Sequence, residues 1–449
     1  MSRKPASPIQ KVHLISLGCP KNTVDSERML GLLQGNAYEI TADPQQADVI
    51  VVNTCGFIEA AKEESIDAIL AAHRLKEEGR CRGVIVTGCL ATRYEQELRR
   101  DMPEADRILT IAQEADIVEQ VDGLLGAPRP GGVASAPRAR LTPAHWAYLR
   151  MSDGCDHACA FCAIPGIRGR HRSEPVERLV EEAQRLAAGG ARELVLVSQD
   201  SMRYGADLYG RPRLVPLLEA LAEVEGIEWL RLMYTYPAFW TESLIDFFAA
   251  CPRMCAYIDM PLQHISDAVL RRMKRATTRR RTVGLLERLR QRLPRAGLRS
   301  TFIVGFPGET EAQFEELLAF VEEARFDHVT GFVYSAEEGT AAFGLDGEVP
   351  HDVKEERYAR LTEAQEGISA AINAALVRTQ HRVLVDEVDA DNAVSYARME
   401  RDAPEIDGQV VVEGTEGGPG EFVDVEITDG YAYERRARRL TGTKERSHG

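Results

Sequence analysis

Three cysteines close together in the segment CDHACAFC, Cys155, Cys159 and Cys162, set the firmest limit on what this chain can fold into. They share one short loop, residues 152–170, and an aromatic residue, Phe161, stands beside the last of them. Three thiolates so placed can grip one face of an iron–sulfur cube. A four-iron cube takes four ligands, so one iron is left open to bind something else. A structural zinc would need a fourth protein ligand, for which His157 is the nearby candidate. The scaffold must therefore present this loop rigidly.

The 449 residues imply about three domains. With 44% hydrophobic and 28% charged residues, the composition is that of an ordinary soluble globular protein. The formal charge of −15 gives no overall attraction to nucleic acid and suits a basic protein partner better. The N-terminal sequence has no apolar run long enough for a signal peptide, and nothing approaches the ~20 apolar residues that span a bilayer. The expected location is the cytoplasm, where nine cysteines point to metal or redox chemistry instead of disulfides.

Residues 12–125 alternate short apolar runs with helical patterns. Strands are expected at 12–18, 49–53 and 83–88, with helices after each, running to residue 33, to about residue 75 and over 94–100. Such alternation implies an open parallel α/β sheet. A cysteine follows each strand directly: Cys19 in LGCP, Cys55 in NTCG and Cys89 in TGCL. The carboxyl ends of parallel strands lie on one edge, where ligands bind. These three cysteines are therefore expected to form a second metal site, again with an open iron. Cys81 lies before a strand, and Cys251 and Cys255 lack a third partner, so these three read as structural.

Residues 126–137, GAPRPGGVASAP, read as a linker. Strand–helix alternation then resumes, with strands expected at 145–151, 193–198, 229–235, 256–262, 299–304 and 329–334. Six such units suit an open, partial (βα)6 barrel, with the Cys155 loop at its carboxyl face. A helix over 354–376 is expected to close its side. Beyond residue 379, the segments HRVLVDEV, GQVVVEG, EFVDVEIT and YAYERRARR read as a small antiparallel β-barrel. The expected domains are thus 9–126, a linker at 127–140, 141–376 and 377–445. Acidic residues outnumber basic ones in the last domain, apart from a short basic tail at 435–439. The basic run 271–281 reads as a solvated face more readily than as an RNA contact.

CxxxCxxC with an aromatic before its last cysteine resembles the signature of radical S-adenosylmethionine (SAM) enzymes. A cysteine trio on an N-terminal α/β domain, a radical core and a TRAM-like β-barrel together resemble the radical SAM methylthiotransferase family, over nearly the whole chain. Members that modify tRNA usually read GCQMN at the first cysteine. This chain has GCPKN (18–22) followed by VDSE (24–27), AIPGIRGRHRS (163–173) and RDAPEIDG (401–408). These resemble the branch that acts on ribosomal protein uS12. TFIVGFPGET (301–310) and PLQHIS (261–266) are also similar to the family.

The resemblance implies two [4Fe-4S] clusters and SAM. Cys155, Cys159 and Cys162 would hold the SAM-binding cluster and carry catalysis; Cys19, Cys55 and Cys89 would hold the auxiliary one. The family's Gly-Gly-Glu motif is matched loosely by GGARE (189–193). Ser198, Gln199, Gln263 and Gly305, at or near strand ends, either line the SAM pocket or complete the barrel rim. The implied reaction replaces a hydrogen on the β-carbon of a uS12 aspartate by a methylthio group. One SAM gives the methyl group and another the 5′-deoxyadenosyl radical. The implied partners are uS12, free or within the 30S subunit, and a reductant such as flavodoxin or ferredoxin. Asp402, Glu405 and Asp407 are expected to face that basic substrate. Two other readings compete: a tRNA methylthiotransferase, and an iron–sulfur electron carrier without catalysis.

Overall fold

The computed structural model describes residues 10–126, 133–415 and 417–440. Residue 9, residues 127–132 of the expected linker and 441–445 of the expected last domain lie outside the described residues. Among the described residues no helix is long and apolar enough to cross a membrane.

The first unit is a five-stranded parallel sheet of β1 (Lys11–Ser16), β2 (Glu39–Ile40), β3 (Val49–Thr54), β4 (Gly83–Thr87) and β5 (Arg107–Ile108), in the order β2-β1-β3-β4-β5. Every residue of β3 and β4 is buried, as strands covered on both faces require. Alternate residues of β3 serve opposite faces. Val49 and Val51 pack with Leu33 and Val121, whereas Ile50 and Val52 pack with Ile69 and Leu98. The edge strands β2 and β5 have two residues each, too few for a period-2 pattern to show in the sequence.

The central unit contains β6 (Trp146–Arg150), β9 (Glu193–Val197), β10 (Trp229–Leu232), β11 (Tyr257–Asp259), β12 (Gly297–Val304) and β13 (His328–Val333). A small antiparallel pair, β7 (Ser152–Asp153) and β8 (Arg172–Ser173), sits beside it. The six parallel strands form two three-stranded sheets, β10-β9-β6 and β11-β12-β13. A bridge between Leu230 and Met254, and a Thr235 N–H donated to the Asp259 carbonyl at 3.0 Å, join them into one open barrel. Leu149, Leu194, Leu196 and Leu232 face the surrounding helices. Tyr148, Val195, Val197, Trp229 and Tyr257 form a second apolar group with Val24, Leu384 and Ala403. Residues of all three units therefore share one core. The long helix His351–Ala374 packs along β13.

The last unit is a closed barrel of β14 (Gln380–Asp389), β15 (Val394–Met399), β16 (Gln409–Glu413), β17 (Phe422–Gly430) and β18 (Glu434–Arg439). The sequence does not betray β15, because buried Ser395 and Arg398 break its apolar alternation. The stretch 435–439 is no tail. It is a barrel strand in which Arg435 and Ala437 point inward and Arg436 and Arg438 stay at the surface.

This barrel caps the amino-terminal ends of the central strands. His145 meets Asp386 at 2.8 Å, Tyr257 donates to Asp407 at 2.6 Å, and His328 lies 3.5 Å from Asp402. The expectation that Asp402 and Asp407 face a partner is therefore overturned; of the three only Glu405 is exposed. Asp402 is fully buried beneath Arg435, whose guanidinium donates to it at 2.6 and 2.9 Å. Asp407 accepts from the Ala403 amide, and Glu405 accepts from the Tyr148 hydroxyl at 2.8 Å. Asp402 and Asp407 pair with Arg435, His328 and Arg299 inside the molecule, whereas Glu405 stays exposed. The Asp402 carboxyl is held well below the usual range: burial alone would raise it, but Arg435 and His328 outweigh that. Asp402→Ala leaves Arg435 buried without its counter-charge, so urea denaturation is expected to show a loss of roughly 3–5 kcal/mol. A loss below about 1 kcal/mol would mean that the loop 401–408 is not a structural tie.

Candidate functional site

Cys19 precedes the helix Pro20–Gly35 that follows β1, Cys55 comes directly after β3, and Cys89 stands in the first turn of the helix Gly88–Arg93 after β4. Because β1, β3 and β4 are neighbours, the three sulfurs lie side by side at one sheet edge. Two left-handed glycines permit this approach. A Cβ on Gly18 (φ +87°) would lie 2.8 Å from the Cys55 Cβ, and one on Gly88 (φ +92°) would lie 2.2 Å from the Asn53 side-chain oxygen. Burial pushes the Cys89 thiol up to about 12, and Arg168 opposes that rise. Burial raises Cys55 too, with the neighbouring Cys19 adding to it. Buried thiols of this kind become thiolates when a cation arrives to take the charge. Cys81 is not among them; its sulfur donates to the Gly83 carbonyl at 3.3 Å.

The second trio lies in the loop between β7 and the helix Ile164–Arg168. The β7–β8 pair staples the loop's two ends, and the Cys155 amide donates to the Gly169 carbonyl at 3.1 Å. Burial pushes Cys162 up to about 12 and Cys155 to about 11. Arg275 approaches the Cys159 sulfur at 3.6 Å, and the His157 amide approaches the Cys155 sulfur at 3.5 Å. The His157 ring is committed elsewhere. Its Nε2 meets Asp200 at 2.6 Å, and it stacks on Tyr236 with centroids 4.3 Å apart.

Among the described residues no three His, Cys, Asp or Glu side chains converge on a single-ion position. Thiolates that each hold a different iron of a cube have no reason to meet at a point. With His157 engaged by Asp200, the second trio lacks a ready fourth protein ligand for zinc, and three thiolates in each trio fit a multi-iron cluster.

The other singled-out residues lie past the carboxyl ends of β9, β11 and β12. Ser198 bonds to the Ser201 hydroxyl at 2.9 Å, and Gln199 donates to Asp153 at 3.1 Å. Gln263 takes a left-handed conformation (φ +73°) beside β12. The Gly305 amide donates to Glu309 at 3.0 Å, so that amide is already occupied. Two buried atoms near the cysteine loop, Gln199 Oε1 and Ser152 Oγ, have no hydrogen-bond partner among the described residues. A bound polar group would satisfy them.

The GGARE segment is placed wrongly for cofactor contact. Glu193 opens β9 at its amino-terminal end, where Arg231 and Arg398 hold it at 2.6 and 2.7 Å. The far end of the same strand carries Ser198, Gln199 and Asp200. Reading strand direction would have pointed there, because parallel barrels put their chemistry at the carboxyl ends.

Between the segment that follows the second trio and the first domain lies a buried polar layer that sequence reasoning missed. Arg168 follows the second trio. It donates to Asn22 at 2.5 Å, to Asp25 at 2.9 Å and to Asp153 at 3.1 Å. Arg150, at the end of β6, also pairs with Asp25. Buried Glu114 is raised by desolvation and by nearby Asp25. Farther out, Arg93 donates to the Gly56 carbonyl beside Cys55 and to Glu337 of the central unit, both at 2.8 Å. In sequence these are ordinary charged residues; only the domain contact gives them meaning.

Three family models match separate parts of the chain. Residues 11–110 match the Uncharacterized protein family UPF0004, 149–321 the Radical SAM superfamily and 378–438 the TRAM domain. The radical SAM match implies a [4Fe-4S] cluster and SAM. The chain is 44% identical to the ribosomal protein uS12 methylthiotransferase RimO of Geobacter sulfurreducens, over 95% of this chain and 97% of that one. It is 48% identical to the RimO of Anaeromyxobacter sp. (strain K), over 94% and 92% of the two chains. Among solved structures, the radical SAM methyltransferase TsrM of Kitasatospora setae superposes with a TM-score of 0.53 at 14% identity, covering 75% of each chain. That likeness shows the fold alone.

The cysteine geometry makes a direct prediction. Cys89→Ala is expected to remove about half of the iron that the reconstituted protein holds, one cube of two, whereas Cys81→Ala leaves the iron content unchanged. Equal iron in both variants would remove Cys89 from the ligand set.

Proposed function

This chain belongs to the family of ribosomal protein uS12 methylthiotransferases, and on that premise we propose that it replaces a β-carbon hydrogen of an aspartate in uS12 by a methylthio group. The observation that carries the reading is that Arg168, which follows the Cys155–Cys159–Cys162 loop, bonds Asn22 and Asp25 on the helix after Cys19, so that two three-cysteine sites, each one ligand short of closing a cube, are tied together. Cys155, Cys159 and Cys162 hold the cluster that takes SAM. Cys19, Cys55 and Cys89 would hold a second, auxiliary [4Fe-4S] cluster, which would supply the sulfur chemistry of the reaction. With SAM, such clusters supply the one-electron chemistry that opens an unactivated C–H bond, which side-chain acids and bases cannot do near neutral pH.

The chain's own residues contribute position and exclusion of water. Ser198, Gln199, Gln263 and Gly305 stand at the strand ends nearest the second trio, where they fit a role around SAM. Gln199 and Ser152 offer the unpartnered buried atoms for it. Lys21, beside Cys19, lies 3.2 Å above the Tyr234 ring, so the first domain plugs into the open barrel at this face. Such closure keeps reactive species away from solvent. The substrate and a flavodoxin- or ferredoxin-like reductant meet the protein in the cytoplasm.

Reconstituted protein supplied with SAM and a reductant is expected to convert purified uS12 to its methylthio form, detected by peptide mass spectrometry, and to leave tRNA unmodified. Methylthiolation of tRNA with none of uS12 would overturn the substrate assignment. Absence of 5′-deoxyadenosine in every reaction would overturn the enzyme assignment and favour an electron carrier.

A further inference from the structure

Arg168 is covalently part of the radical loop, yet its guanidinium lies among groups of the first domain. Its side chain is 1% exposed. One nitrogen reaches Asn22 Oδ1 and Asp25 Oδ2, and the other reaches Asp153 Oδ1. Each anchor is close in sequence to a cysteine. Asn22 and Asp25 lie on the helix that begins after Cys19, and Asp153 lies just before Cys155. Asn22 also accepts from the Cys89 sulfur at 3.5 Å and donates to the carbonyls of Leu17 and Thr54, the latter next to Cys55. One planar cation thus contacts the frameworks of both trios at once.

Its charge also falls on the first trio. Arg168 donates to the same Asn22 oxygen that accepts from the Cys89 sulfur, and its charge acts against the rise of both Cys89 and Cys55. The other charges facing it are Asp25, Asp153, Arg150 and Glu114. Burial pushes Glu114 toward its neutral form, and Arg150 and Arg168 stand against Asp25 and Asp153. That balance explains how so many ionisable groups can be buried together.

We propose that Arg168 is a positioning residue that fixes the distance and orientation between the two cysteine trios and keeps a positive charge beside the Cys19–Cys55–Cys89 site. The inference rests on the two-cluster reading above and assigns it a residue. A lysine cannot replace it fully, because an ammonium is a point charge without the rigid fork that spans three partners. Loss of the fork lets the domains shift, and a misplacement of 1 Å can cost about 100-fold in a reaction that depends on alignment.

The test compares the parent protein with Arg168→Met and Arg168→Lys. Hydrogen exchange of the metal-free proteins comes first: in Arg168→Met, amides of Pro20–Gly35 and of residues 152–170 are expected to lose protection while the C-terminal barrel keeps its own. After reconstitution, the first-trio cluster of Arg168→Met is expected to reduce at a lower potential than the parent's, with Arg168→Lys near the parent. SAM cleavage to 5′-deoxyadenosine continues in both variants, but methylthiolated uS12 formed per 5′-deoxyadenosine falls at least about tenfold in each. Unchanged exchange, potential and product ratio in Arg168→Met would overturn the proposal. Should Arg168→Met fail to fold, the same readouts on Arg168→Lys decide, since its product ratio must fall although its charge remains. If the parent itself makes no methylthiolated uS12, the functional reading fails, and the exchange measurement still decides the role of Arg168.

Discussion

The cation–carboxylate layer of Arg150, Arg168, Asp25 and Asp153 is the contact on which the rest of the site depends. These side chains are between 1% and 14% exposed and belong to two different domains. A buried charge with its partner removed costs several kcal/mol, so neither domain can withdraw without exposing the other to that penalty. The layer therefore fixes the docking of the first domain at the carboxyl face of the central barrel. The docking in turn places the edge of one parallel sheet, with Cys19, Cys55 and Cys89, opposite the loop of Cys155, Cys159 and Cys162. Each trio could exist alone on its own domain. Facing one another, they can serve a single reaction.

The opposite end of the barrel uses the same device for another purpose. Glu193, Arg231 and Arg398 are buried, with half-buried Asp386 beside them, where the C-terminal barrel meets the amino ends of the strands. Asp402, Asp407, His328 and Arg299 extend the contact. The two ends of the central barrel are thus closed by different domains, each held through buried ion pairs. Surface acidity that suits a basic substrate must then come from exposed carboxylates such as Glu405 and not from Asp402 or Asp407.

Much of this was legible in the sequence because it rests on local rules. Buried parallel strands read as unbroken apolar runs, and a cysteine after each one reads as a site because strand direction fixes the edge. The cysteine spacing in CDHACAFC needed no tertiary knowledge. What escaped was everything that depends on contacts between domains. Arg168 looks like one more basic residue in PGIRGR, and Asp402 like a surface acid in an acidic domain. The strand Val394–Met399 hid because its buried arginine serves an interface instead of a core. The loose match GGARE carries no site because Glu193 opens its strand at the amino-terminal end, where Arg231 and Arg398 hold it.

The central claim is that these two facing sites together methylthiolate uS12. Mass spectrometry of uS12 from cells with the gene deleted tests it most directly. The account predicts that the methylthio group is absent, that the parent gene restores it, and that neither Cys89→Ala nor Cys159→Ala does. Modification that persists in the deleted cells, or returns with either variant, would contradict it.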